Sequence, residues 1–463
     1  MRKAASRPAR PFRIAAILSA SLFAFLASCA SAPKAAPHPP SIAFLPSTFP
    51  SADPSRGAAR GALFSAVQMP ADSADGVASS LNPAMLSTRM NIAPMEAAGF
   101  FDALAAARKT LKTVRNVRIH YWSEDATGRS VKLSGLLLLP EAASGRSLQV
   151  PLLLLCHGTQ LLRERVPSRL AGSERPIALL AAASGWAVAL PDYPGMGDGE
   201  GFHTYCHADS LAHSGVDLLR AVREWIGSRS EGAYRESGEL RVAGYSEGGY
   251  AAMAVIRELE LEAKGEFPLA AGYALAGPFD MSGTMRERMI SDEPTASPSF
   301  LIYAIMGWLG VYGSDLDPKR VFVPEIVEKV LPLMDGRSSS SAVNAKIAQV
   351  LGFPKGKVPP SAMTTEAFRS GLAKPESSPA GARMLAILRE NDLYDWPADP
   401  SIPLRLMAAR SDEQVPFANN RLAFDALIAR GAQATLVELS QTGHAAGAYE
   451  AFGYLLMDLW KRD

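Results

Sequence analysis

Gly244-Tyr245-Ser246-Glu247-Gly248 sets a serine between two glycines where an apolar stretch, Leu240 to Gly244, gives way to a helix-forming one, Gly249 to Leu261. A serine on so tight a turn exposes its oxygen, and the flanking glycines let strand and helix approach without a side-chain clash. Three fixed positions can match by chance. Gly128-Arg129-Ser130, Gly145-Arg146-Ser147 and Gly336-Arg337-Ser338 all begin the pattern and lack its last glycine, so only Ser246 completes it. A serine hydroxyl is a weak nucleophile until an imidazole takes its proton and a carboxylate orients that imidazole. A histidine and an acid must therefore reach the same turn, and the chain offers seven histidines: His38, His120, His157, His203, His207, His213 and His444.

Positioning such groups needs a rigid frame, and from Asn116 the chain alternates strand and helix. Val117 to Trp122 and Val131 to Leu139 read as a strand pair. Leu152 to Cys156, Trp186 to Leu190 and Leu240 to Gly244 are continuous apolar runs, as expected of strands covered on both faces. Leu269 to Ala276, Leu404 to Ala408 and Ala434 to Leu439 bring the total to about eight strands. Helices fall at about Ser210 to Ile226, Gly249 to Leu261, Phe417 to Ala429 and Ala446 to Trp460. This alternation predicts an α/β fold, a mostly parallel sheet wrapped by helices, with chemistry beyond the carboxyl ends of the strands.

Leu155-Cys156-His157-Gly158-Thr159, Pro191-Asp192-Tyr193-Pro194-Gly195-Met196-Gly197, Gly244-Tyr245-Ser246-Glu247-Gly248-Gly249, Asp412 with Val415-Pro416, and Gly443-His444 span most of the chain. Together they resemble the α/β-hydrolases, and most of all the secretory-lipase branch with its bacterial relatives. In that order of motifs the acid and histidine follow the serine, each in a loop after a late strand. His444 is the only histidine after Ser246, and Asp412 precedes it by 32 residues, room for one helix and one strand. Glu413 next door and Asp280 after an earlier strand are the rival acids. The resemblance implies an oxyanion hole from the backbone N–H of Glu247 and of Thr159. In some secretory lipases an aspartate at the position resembling Asp192 contributes, so Asp192 is a candidate there or as a residue pinning the Gly195 to Gly201 loop. The carboxylate of Glu247 reads as a first-turn helix charge.

Between Gly277 and Pro400 the strand-helix rhythm stops for 124 residues, too long for a structureless loop. It occupies the place where secretory lipases carry a helical cap, and its segment Phe300 to Leu309 is apolar nearly all round, fit for packing within the cap or for walling an acyl chain. Cys156 ends one strand and Cys206 lies in the loop after the next, so they could be neighbours at one sheet edge and form a disulfide, although a strand-end cysteine is also a common buried small residue. His203, Cys206 and His207 have a spacing that can share a helix face, but no further ligand set is visible, and serine chemistry needs neither metal nor cofactor.

The remaining signals concern the chain's beginning and its partners. Arg2, Lys3, Arg7, Arg10 and Arg13 precede the apolar run Ile14 to Ala27, the layout of a secretory signal. Leu26-Ala27-Ser28-Cys29 resembles the lipobox of bacterial lipoproteins, in which the cysteine, here Cys29, is acylated. Ala30 in place of aspartate then implies the outer membrane of the cell envelope. Removing residues 1–28 leaves 42 basic against 46 acidic side chains, a net of −4 that argues against nucleic acid. Residues 29–61, rich in Ala, Pro and Ser, read as a disordered tether. Residues 62–276 and 401–463 read as the hydrolase core, 277–400 as the cap, with 62 to about 112 mixed and a helical pattern at Ala97 to Thr110. The expected activity is hydrolysis of a small-molecule or lipid ester through an acyl-enzyme. A peptidase or amidase using the same three residues, and a catalytically silent envelope scaffold, are the alternatives.

Overall fold

The computed structural model describes residues 59–73, 90, 111–142, 146–313 and 317–460. They belong to one compact unit, Ile42–Asp463. The stretches read as a signal sequence (1–28) and, for the most part, as a tether (29–61), together with Cys29 and the helical pattern at Ala97 to Thr110, lie outside the described residues.

Nine strands form one sheet: β1 (Leu63–Ser73), β2 (Leu111–Glu124), β3 (Ser130–Ala142), β4 (Leu148–Cys156), β5 (Ala187–Pro191), β6 (Tyr234–Tyr245), β7 (Leu269–Leu275), β8 (Pro403–Ala409) and β9 (Gln433–Leu439), in the order β1-β2-β3-β5-β4-β6-β7-β8-β9. Antiparallel pairing joins β1 to β2, β2 to β3 and β3 to β5; every pair from β5 onward is parallel. Eight of these strands follow the apolar runs of the sequence. The ninth, β1, falls where the sequence reads only as mixed. Its side chains are exposed or half-buried along its whole length and it contains Pro70, so it lacks the apolar alternation that marks a strand. Ser65 Oγ, 2.8 Å from His120 Nδ1, helps hold it to β2.

The central runs sort their side chains by strand periodicity. On β4, Leu152, Leu154 and Cys156 enter one apolar cluster and Leu153 and Leu155 the other; on β3, Leu137 and Leu139 oppose Leu136 and Leu138. Each fully buried leucine contributes about 2 kcal/mol of transfer free energy, which is why runs of them are confined to strands covered on both faces. The helices α1 (Arg175–Ala183), α2 (Ala208–Arg229) and α3 (Glu247–Leu261) complete the layers, with α2 and α3 on one face and α1 on the other. Arg60 fastens the chain entering β1 to this frame through Asp217 of α2 and Glu258 of α3, each at 3.1 Å.

Between β7 and β8 the chain leaves the sheet for a helical insertion whose longer members are α4 (Ser299–Tyr312), α5 (Ser340–Leu351), α6 (Glu366–Ala373) and α7 (Pro379–Glu390). Helices α8 (Phe417–Ala429) and α9 (His444–Trp460) then follow β8 and β9. Ile302, Ile305 and Trp308 of α4 are fully buried, while Phe300, Leu301 and Ala304 face a cavity. The apolar segment therefore packs and lines at once. Among the described residues no helix is long and apolar enough to cross a membrane.

Candidate active site

Ser246 stands alone between the last residue of β6 and the first of α3, with φ 60° and ψ −125°. A positive φ outside glycine costs about 1–3 kcal/mol unless the surroundings impose it. Here they do. The Ser246 amide donates to the Leu275 carbonyl of β7 at 2.9 Å, and the Ser246 carbonyl accepts from the Tyr250 amide at 3.0 Å. A side chain at Gly248 would begin 2.3 Å from the Cys156 carbonyl oxygen, and one at Gly249 the same distance from that of Leu275. Glycine lets α3 press onto β4 and β7 closely enough to hold the turn.

His444 opens α9 directly after β9, and Asp412 sits in the loop between β8 and α8. His444 Nε2 lies 2.8 Å from Ser246 Oγ, and His444 Nδ1 lies 2.7 Å from Asp412 Oδ2. The other carboxylate oxygen of Asp412 accepts from the amides of Gln414 and Val415, both at 2.9 Å. An acceptor-only Asp412 keeps the ring proton on Nδ1, which leaves Nε2 free to accept from the serine. The Tyr245 hydroxyl donates to the His444 carbonyl at 2.7 Å and its ring packs against the imidazole with centroids 5.0 Å apart.

The rival acids are engaged elsewhere. Glu413 accepts from the backbone amide of His444 at 3.0 Å rather than from its ring. Burial opposes its ionisation, yet hydrogen bonding led by that amide holds its carboxyl below the usual range. Asp280 caps the turn Met281–Met285, accepting from the amides of Gly283 and Thr284.

Two cavities meet at Ser246. One, of about 100 Å³, runs beneath the insertion between Met281, Met285, Met289 and Met363, with Glu247 in its wall. The other, of about 850 Å³, opens between α1 and α9 and contains Gly158, Thr159 and His444. Thr159 thus shares a cavity with the serine, and its hydroxyl lies 3.1 Å from that of Tyr205. The amide of Gly158 is held by Glu174 Oε1 at 3.0 Å, a tie that no sequence motif announces.

Asp192 is fully buried and lines neither of these cavities. It accepts from Ser134 Oγ at 2.6 Å and from the Ser168 amide at 2.9 Å, while burial pushes its carboxyl up. Ser134 Oγ in turn accepts from the Asp198 amide at 2.9 Å, so Asp192 pins the loop after β5 and does not face the serine.

The possible disulfide does not form, and the other reading, a buried small residue, fits: Cys156 and Cys206 are both free and buried. Burial pushes the Cys156 thiol up to about 12 and raises the Cys206 thiol as well. His207 caps α2, accepting on Nδ1 from the Ser210 amide. Among the described residues no three His, Cys, Asp or Glu side chains are grouped to hold a metal ion. The Glu247 carboxylate stands in the first turn of α3 as expected, and there it is buried against His203 at 2.5 Å. These residues are 44 apart in sequence, and no motif or periodicity links them.

No protein-family model matches the chain, and no curated protein matches it significantly. Solved structures do resemble it. The rice cell wall degrading esterase LipA from Xanthomonas oryzae matches with 25% identity and a TM-score of 0.66 over 87% of this chain and 96% of that one. Lipase A from Candida antarctica matches at 13% identity with a TM-score of 0.56, over 83% of this chain and 78% of that one. The nine-stranded, mostly parallel sheet with helices on both faces is thus an α/β-hydrolase fold.

Proposed function

We propose that this chain is a serine hydrolase that cleaves carboxylic esters through an acyl-enzyme, with Ser246 as nucleophile, His444 as base and acid, and Asp412 as the residue that orients His444. The observation that carries this reading is the unbroken relay from Ser246 Oγ to His444 Nε2 at 2.8 Å and from His444 Nδ1 to Asp412 Oδ2 at 2.7 Å. The esterase and lipase among its structural neighbours favour esters as the substrate class.

In this mechanism Ser246 Oγ adds to the ester carbonyl as its proton passes to His444 Nε2. The oxyanion accepts from the backbone N–H of Glu247, at the positive end of α3, and from that of Thr159. Collapse breaks the bond to the alcohol, which takes the proton from His444. Water then repeats the sequence and frees the acid. Because the departing oxygen must reach His444, the alcohol belongs in the wide cavity that His444 lines, and the acyl group in the narrow methionine-lined one. Residues 277–400 then act as a cap whose inner surface selects the acyl group. Acylation of Cys29 would tether the enzyme to the outer membrane, as the resemblance of Leu26-Ala27-Ser28-Cys29 to the lipobox of bacterial lipoproteins implies.

The test is a panel of nitrophenyl esters with acyl chains from two to sixteen carbons, assayed with wild type and Ser246→Ala. Wild-type turnover is expected, favouring the shorter acyl groups, with a loss well beyond a hundredfold on substitution. A smaller loss would reject the mechanism; a preference for the longest chains would reject the assignment of the two cavities.

A further inference from the structure

Beside the nucleophile the molecule buries an ionisable pair that the relay does not use. The side chains of His203 and Glu247 are 1% and 0% exposed, with Nε2 and Oε1 2.5 Å apart. His203 Nδ1 faces the Pro194 carbonyl oxygen at 3.2 Å. A carbonyl only accepts, so Nδ1 carries a proton. Whichever of Nε2 and Oε1 holds the proton between them, the pair then sums to zero: imidazolium with carboxylate, or imidazole with carboxylic acid.

Among the described residues Glu247 has no other ion-pair partner. Its second oxygen, Oε2, is buried without a hydrogen-bond partner. Tyr193 stacks on His203 with centroids 5.6 Å apart, and Tyr205 and Tyr303 close round the ring at 6.1 and 5.4 Å. Their hydroxyls are spent on the His157 carbonyl, Thr159 Oγ1 and the Gln160 carbonyl respectively. Glu247 is also the residue whose amide is assigned to the oxyanion. A bare carboxylate on that same residue, in a site walled by apolar groups, would repel the developing negative charge.

We propose that His203 is a positioning residue for catalysis: it neutralises the Glu247 carboxylate and anchors the start of α3, so that the Glu247 amide serves the oxyanion with no like charge beside it. This rests on the serine-esterase reading. The pairing also ties the turn at Ser246 to the loop before α2 and to the insertion, because a side chain at Gly307 of α4 would begin 2.8 Å from the His203 carbonyl oxygen.

The test compares kcat and KM for a short nitrophenyl ester in wild type, His203→Gln, Glu247→Gln and the double variant, with unfolding midpoints recorded for each. His203→Gln is expected to lose about tenfold to a hundredfold in kcat with little change in KM. Glu247→Gln should lose less, and adding it to His203→Gln should restore most of the lost kcat, because it removes the uncancelled charge. A double variant as slow as His203→Gln, or slower, would overturn the proposal, since two merely structural losses do not compensate. If His203→Gln does not fold, Glu247→Gln is compared with Glu247→Asp, whose shortened carboxylate cannot reach His203. The amide should then be the faster, and the reverse order overturns the proposal. Fluorophosphonate labelling of Ser246 in wild type keeps the two readings apart: no labelling defeats the esterase reading, whereas labelling without rescue defeats only this one.

Discussion

Asp280 and Asp412 occupy comparable places, just past the ends of the neighbouring strands β7 and β8, yet only Asp412 reaches His444. Converting Asp412 to Asn should cost on the order of a thousandfold or more in kcat, because an amide stabilises the wrong imidazole tautomer. Asp280→Ala should lower the unfolding midpoint through its lost caps on Gly283 and Thr284 while kcat changes far less. Steady-state kinetics beside thermal melts separate the two, and equal losses of kcat would contradict the assignment of Asp412. The three relay residues were readable because each follows an apolar strand in a fixed chain order. The partnership of His203 with Glu247 was not. No periodicity links a loop before α2 to the first residue of α3; the two side chains meet only in the folded chain, at 2.5 Å.

Among the elements, α2 carries a built-in sensitivity to acid. Its cap is His207, whose Nδ1 accepts from the Ser210 amide and so must be unprotonated. Burial, the largest cause, lowers this imidazole from 6.5 to about 4. A histidine depressed in the folded state favours folding fully above its unfolded value and loses that contribution as pH falls through the folded one. Between about pH 6.5 and 4 the native state should therefore lose up to about 3 kcal/mol from this group. His207→Asn keeps a capping oxygen without a titrating proton, so its unfolding midpoint should fall less steeply than wild type over that window. Parallel slopes would refute the account. At this scale the fold was largely legible: eight strands announce themselves by apolar runs and the helices by their place between them. Two features were hidden for physical reasons. Strand β1 buries too little to show a pattern, and the insertion's helices pack on each other and on the core, so its layout depends on contacts far apart in sequence.

For the molecule as a whole, the proposed lipid anchor makes a separable claim, since Cys29 lies far from every catalytic group in the chain. Wild type should fractionate with membranes and Cys29→Ala should pass to the soluble fraction with its esterase activity intact; a wild-type protein that is already soluble would dismiss the anchor. Cys156 and Cys206, unlinked and sealed in the interior, have a practical corollary. Nothing in the described residues relies on an oxidising compartment to mature, so the catalytic body can be produced in a reducing host cytoplasm. Thiol-directed reagents should leave it untouched, whereas a serine-directed one finds its target at the open mouth of the sheet.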